Sequence, residues 1–148
     1  MKSKFIFAML SIVIGTALFA QIRKVPAEVT DALKKKYPSA ENVEWKDKVT
    51  YFEAEFKMDG IEMTADFSNK GEWQESNKKL SFDALPAPVK DGFKKSKYAD
   101  WTPGSVTEIE KNDKQTQYKI YVEKSSLVQK KFLFFNTDGQ LDKETVGI

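Results

Sequence analysis

The 148 residues include no cysteine and no histidine. No disulfide can form, and neither a thiolate nor an imidazole is available as nucleophile, general base or metal ligand. Ser-His-Asp and Cys-His catalysis, and zinc held by His or Cys, are therefore excluded. Glycine is scarce, with seven residues, and none builds a phosphate-cradling loop. An excess of one charge is also missing: 24 Lys and Arg face 22 Asp and Glu, a formal charge of +2. Electrostatic nucleic-acid binding needs a net basic patch, so no nucleic-acid partner is expected. What remains is carboxylate or lysine chemistry, or binding without chemistry.

The long apolar run is confined to the N-terminus. Lys2 and Lys4 are followed by Phe5 to Leu18, almost without a polar residue, and the segment closes with Thr16-Ala17-Leu18-Phe19-Ala20 before Gln21. A basic start, an apolar middle and small residues at the exit are the order of a secretory signal. The apolar stretch is short for a membrane span of roughly 20 residues, and a charged segment follows at once. The expectation is a signal over residues 1–20, a periplasmic or secreted protein, and no stable membrane anchor after cleavage. Lys2 and Lys4 leave with the signal, so the remaining 128 residues carry 22 basic and 22 acidic side chains. An exported chain without disulfides must be held by a core, and 13% aromatic residues supply the material.

The chain repeats itself. Val25-Pro26-Ala27-Glu28-Val29-Thr30-Asp31-Ala32-Leu33-Lys34-Lys35 returns sixty positions later as Leu85-Pro86-Ala87-Pro88-Val89-Lys90-Asp91-Gly92-Phe93-Lys94-Lys95, with six of eleven positions identical. Phe67-Ser68-Asn69-Lys70-Gly71 is answered by Phe135-Asn136-Thr137-Asp138-Gly139, now at an offset of 68. Two matches in the same order favour duplication. Each copy opens with a helix. Pro26 and Pro86 suit a first helical position, and Val25, Val29, Leu33 and Leu85, Val89, Phe93 fall at helical spacing. The terminal lysines complement the negative helix end.

The remainder of each copy alternates with period two. Phe52, Ala54, Phe56 and Met58 share one strand face, and Tyr51, Glu53, Glu55 and Lys57 the other. Asp59-Gly60 makes a tight turn. The return strand turns Ile61, Met63, Ala65 and Phe67 inward and Glu62, Thr64 and Asp66 outward. Short strands are expected at Val43–Lys46 and Glu72–Ser76. The second copy gives Ser105–Lys111, Gln117–Glu123, Leu127–Asn136 and Gln140–Thr145. The expected fold is α+β: a tandem repeat of one helix plus a four-stranded antiparallel sheet, residues 21–78 and 79–148, joined through residues 77–84.

The helix start [VL]-P-A-x-V-x-D, the four-strand meander and the F-[SN]-x-[KD]-G turn resemble the β-lactamase-inhibitor-like, PepSY-like proteins exported by Bacteroidetes, over about residues 25–146. The resemblance implies tandem helix-plus-four-strand modules outside the cytoplasm that bind or inhibit another protein. β-lactamase inhibitor proteins carry disulfides, and this chain has no Cys. No stretch matches their enzyme-contacting loops, so no inhibitory residue is carried over.

The outward sheet face is the candidate site. In the first copy it is acidic. In the second, aligning Phe135 with Phe67 turns Leu133 inward and Phe132 and Phe134 outward, near Lys119, Tyr121 and Lys130. Neighbouring exposed aromatics suit a partner surface; a bulge would instead send Phe132 and Phe134 into the core. If the two sheets join side by side, the face is half acidic and half aromatic-basic, which would orient a protein partner. Trp45, Trp73 and Trp101 read as core or rim, with Trp101, in an irregular segment, the best placed for ligand stacking. Glu53, Glu55 and Glu62 lie on a flat face without the pocket that acid–base catalysis requires, so no catalytic residue is assigned. Asn136-Thr137-Asp138-Gly139 lacks the acids of a calcium loop and reads as a turn; no metal and no cofactor are expected. The expectation is a monomeric, non-enzymatic module binding an unidentified envelope or extracellular protein. The alternative is a carrier of a small apolar ligand, held between helix and sheet or in the cleft between the two copies, which a cavity lined by Phe52, Phe56, Met63 and Phe93 would favour.

Overall fold

The computed structural model describes residues 23–147; the expected signal over residues 1–20 lies outside the described residues. The elements run α1 (Ala27–Lys36), β1 (Glu41–Asp47), β2 (Tyr51–Met58), β3 (Ile61–Ser68), β4 (Trp73–Leu80), a 3₁₀ turn (Phe82–Ala84), α2 (Ala87–Lys95), β5 (Thr102–Lys111), β6 (Thr116–Lys124), a 3₁₀ turn (Ser125–Leu127), β7 (Gln129–Asn136) and β8 (Leu141–Val146). All eight strands form one antiparallel sheet in sequence order, β1 to β8. The fold is α+β with two helices on one face. The two four-stranded sheets expected from the repeat are not separate: β4 pairs with β5 from Glu75↔Lys111 to Leu80↔Val106.

Alternation builds the core. Phe52, Ala54, Phe56, Met63, Ala65 and Phe67 are buried under Val29 and Leu33 of α1. Val106, Ile120, Val122, Leu133 and Phe135 are buried under Val89 and Phe93 of α2. The expected helix faces hold, but Pro26 and Pro86 are extended caps just outside the helices rather than first helical residues. Their carbonyls accept the first helical bonds, from Val29 and Thr30 in one case and Lys90 in the other, and a proline ψ near 150° keeps them out of the helix.

Two apolar clusters, rather than one, lie under the helices, and a polar seam runs between them. The buried Ser76 hydroxyl oxygen accepts from Tyr37 Oη at 2.6 Å and from Trp73 Nε1 at 2.7 Å. Lys36 places its ammonium 3.5 Å from the Trp73 ring centroid and 3.9 Å from Glu110. β4 reaches Leu80, whereas the sequence suggests an end at Ser76, because its last four residues pair with β5. Asn77, Lys78 and Lys79 read as a polar linker, yet their backbones pair with Ile109, Glu108 and Thr107. The pairing is carried by backbone groups, which alternation in side-chain polarity does not report.

The turn glycines seat each half's last hairpin on its helix. Gly71 has φ +82, and a Cβ there would come within 2.5 Å of the Glu28 carbonyl oxygen in α1. Gly139 has φ +81, and its Cβ would collide with the Pro88 carbonyl in α2. The loop carrying Gly139 is a turn, as expected: the Asn136 Oδ1 accepts from the backbone N–H groups of Asp138 and Gln140, each at 3.0 Å.

Candidate binding face

Strand pairing fixes which side chains point away from the helices. One row crosses the sheet as Glu53↔Asp66↔Glu75↔Lys111, a second as Glu55↔Thr64↔Asn77↔Ile109↔Gln117, and a third as Lys119↔Phe134↔Lys143. Residues of all eight strands, from Asn42 and Glu44 on β1 to Lys143 on β8, line one hollow of about 1180 Å³ on this side. The outward face is therefore concave rather than flat.

The two halves of the hollow differ in charge. On β1–β4 the lining includes Glu44, Glu53, Glu55, Glu62, Asp66 and Glu75. Several carry their own counter-ions: Lys46 Nζ lies 2.5 Å from Glu55 Oε1, Lys48 lies 3.2 Å from Glu53, and Lys79 pairs with Glu62. The hydrogen bond from Lys79 holds the Glu62 carboxyl below its ordinary range. Asp66 is different. Its Oδ1 is shut from solvent without a hydrogen-bond partner. Burial, then repulsion from Glu53 and Glu75, pushes its carboxyl up to about 6, with Lys48 opposing.

On β5–β8 the lining is Thr107, Ile109, Lys111, Gln117, Lys119, Phe134 and Lys143, with no acid among them. Phe132 and Phe134 do face outward, both half-buried, with Leu133 and Phe135 fully buried behind them; no bulge interrupts Tyr121↔Phe132 or Lys119↔Phe134. The Tyr121 ring packs beside Phe132, centroids 5.5 Å apart, and lies on Gly104, where a Cβ would come within 2.8 Å of Tyr121 Cδ1. Lys119 and Lys143 hold their ammonium groups 5.6 Å from the Phe132 and Phe134 centroids. Lys130 is exposed opposite Glu123 at the rim. Of the expected partner residues, Lys119 and Phe134 line the hollow, and Tyr121, Phe132 and Lys130 continue beyond it.

Trp101 does not belong to this face. It is 8% exposed and packs edge-on against Tyr98, centroids 5.0 Å apart, inside the second core. The cause is an anchor: Tyr98 donates to Glu144 Oε2 at 2.6 Å, with Lys131 at 2.9 Å and Lys97 at 3.1 Å from the same carboxylate. The irregular segment is thus tied to β8, and Trp101 goes inside with it. Phe52, Phe56, Met63 and Phe93 do not line a common cavity either, because Phe93 lies in the second cluster and the other three in the first. Among the described residues, no group of three acids is placed to hold a metal ion.

Ile109 was missed by the sequence reading. It is 6% exposed, belongs to neither core cluster, and lies on the concave side beside Asn77 and Gln117. The signal was present: Val106 and Ile109 are three apart, and two residues three apart on a strand cannot share a face.

A concave eight-stranded sheet under two helices is the arrangement shared with known proteins. The family model described as "Putative beta-lactamase-inhibitor-like, PepSY-like" matches residues 50–143. The chain belongs to this family. A BLIP-like protein from Bacteroides fragilis is 29% identical with a TM-score of 0.79, over 86% of this chain and 89% of that one. A DUF2874 family protein from Bacteroides ovatus is 30% identical with a TM-score of 0.79, over 84% and 89%. A protein of Bacteroides eggerthii described as periplasmic is 27% identical with a TM-score of 0.78, over 84% and 90%. The fold is thus BLIP-like. No curated protein matches the sequence.

Proposed function

We propose that this protein is an exported, non-catalytic, inhibitor-like binding module that grips another protein in the concave sheet face. The observation that carries this reading is the hollow itself, lined by all eight strands, acidic over β1–β4 and lysine- and aromatic-rich over β5–β8. A bipolar concave face orients an incoming protein, and half-buried Tyr121, Phe132 and Phe134 supply apolar area for anchoring. The family's inhibitor-like character supports binding over catalysis, and the periplasmic description of the Bacteroides eggerthii relative supports an envelope location. The active form is a monomer in this reading, because each copy must leave its hollow open.

The matched contacts Gly71–Glu28 and Gly139–Pro88 support descent of the two halves, 21–78 and 79–148, from one duplicated unit. The test of function is capture from a Bacteroides envelope extract by immobilised protein. The Phe132→Ser/Phe134→Ser variant should keep its circular dichroism and lose at least about tenfold in captured partner, as expected for removal of interface anchors. Undiminished capture by the folded variant would remove the concave face from the account.

A further inference from the structure

We propose that the hollow accepts a protein segment of the opposite polarity: a basic side chain set against Asp66 and, some distance along the segment, a carboxylate set among Lys119 and Lys143 beside Phe134. This deepens the reading of the concave face as the binding face and rests on it.

The chain leaves some charges of the hollow uncompensated. Glu53, Glu55 and Glu62 each have a lysine of their own. Asp66 has none, and its Oδ1 is both inaccessible and unpartnered. A half-buried carboxylate without a donor is costly, and a charge-assisted donor from outside, reaching its other oxygen, would offset that cost. The groups facing Asp66 are Glu53 of β2, Glu75 of β4 and Lys48 in the β1–β2 turn. Two of the three repel its charge, so a guanidinium or ammonium is the missing complement. Across the sheet, Lys111, Lys119 and Lys143 form no ion pair among the described residues. They share their half of the hollow with no acid. Two of them flank aromatic rings, so a carboxylate arriving there is held beside apolar surface.

The geometry selects a protein segment over a small ion. Asp66 lies on β3 and Lys119 on β6. Three strand spacings and about four residues along the strand separate them by on the order of 20 Å. Roughly six extended residues span that distance. A second copy is disfavoured, because two concave faces cannot close on each other.

The experiment titrates isotopically labelled protein at pH 7.5 with a capped seven-residue peptide, arginine first, glutamate last and a tyrosine between, read by amide chemical shifts. Saturable shifts are expected on outward-facing positions of β2–β7. Replacing the peptide arginine by glutamine should weaken binding about fivefold to the unaltered protein and not at all to Asp66→Asn, the signature of a direct pair. Shifts on the concave face without that coupling overturn the polarity inference and leave the binding face standing. Saturable shifts confined to the helix side overturn both. Absence of saturable shifts at millimolar peptide overturns the polarity inference, with the envelope capture deciding the face.

Discussion

Asp66 is held against its own electrostatics. Its carboxyl stays protonated up to about pH 6 in the fold, against an ordinary value near 3.8. For an acid raised in this way the penalty is absent below the ordinary value, grows between about 3.8 and 6, and is fully present above. Replacing Asp66 by Asn should therefore stabilise the protein at pH 7.5, by about 1 kcal/mol once solvent screening of a half-exposed group is discounted. At pH 3.5 the variant and the parent should unfold together. Urea titrations at the two pH values check the sign: destabilisation at pH 7.5 would mean that Asp66 has a structural partner. Ser76 is the opposite kind of residue. Its one oxygen serves both Tyr37 and Trp73, so Ser76→Ala strands one buried and one partly buried donor and should cost about 2 kcal/mol in the same titration.

At the scale of elements, the turn glycines separate two physical roles. Gly60 has φ +76 with nothing near its absent Cβ, whereas Gly139 has φ +81 and presses on α2. Gly60→Ala should cost about 1 kcal/mol from backbone conformation alone. Gly139→Ala adds a clash with helix backbone and should cost about 3 kcal/mol or more. Equal losses of melting temperature would show that the hairpin does not press on the helix. The same elements mark what the sequence could and could not tell. The pair Phe67 and Phe135, each followed four residues later by glycine, was legible because packing and turn chemistry both act on local residue type. Strands β2, β3, β6 and β7 were legible by alternation, including the outward aim of Phe132 and Phe134. The continuity of β4 with β5 was hidden, since Asn77-Lys78-Lys79 pairs through backbone atoms alone. The unpaired state of Asp66 was hidden because it depends on Glu53, Glu75 and Lys48 from neighbouring elements, whereas the outward aim of Ile109 was legible from its three-residue spacing to Val106. For Trp101 the core reading holds and the stacking alternative does not, a choice the sequence left open because the burial is imposed by Tyr98 and Glu144, forty-six residues apart.

For the whole molecule, two apolar clusters are joined by one sheet. Six residue pairs link β4 to β5, and the seam around Ser76 adds no apolar bridge. The central ladder and its neighbours make the halves depend on each other, so a single unfolding transition is expected. Trp101→Phe leaves Trp45 and Trp73 as reporters of the first half, and the Trp45→Phe/Trp73→Phe variant leaves Trp101 for the second. Both should give the same urea midpoint after correction for the substitutions themselves. Midpoints that separate would mean that the halves melt as independent units.

Alternation gives this architecture a division of labour. Residues of one parity hold the helices, and those of the other parity line the hollow. Recognition can then be rewritten at every second position of eight adjoining strands with little interference in folding. A combinatorial library confined to the outward positions should yield mostly well-folded members with diverging targets, which makes the chain a template for engineered binders.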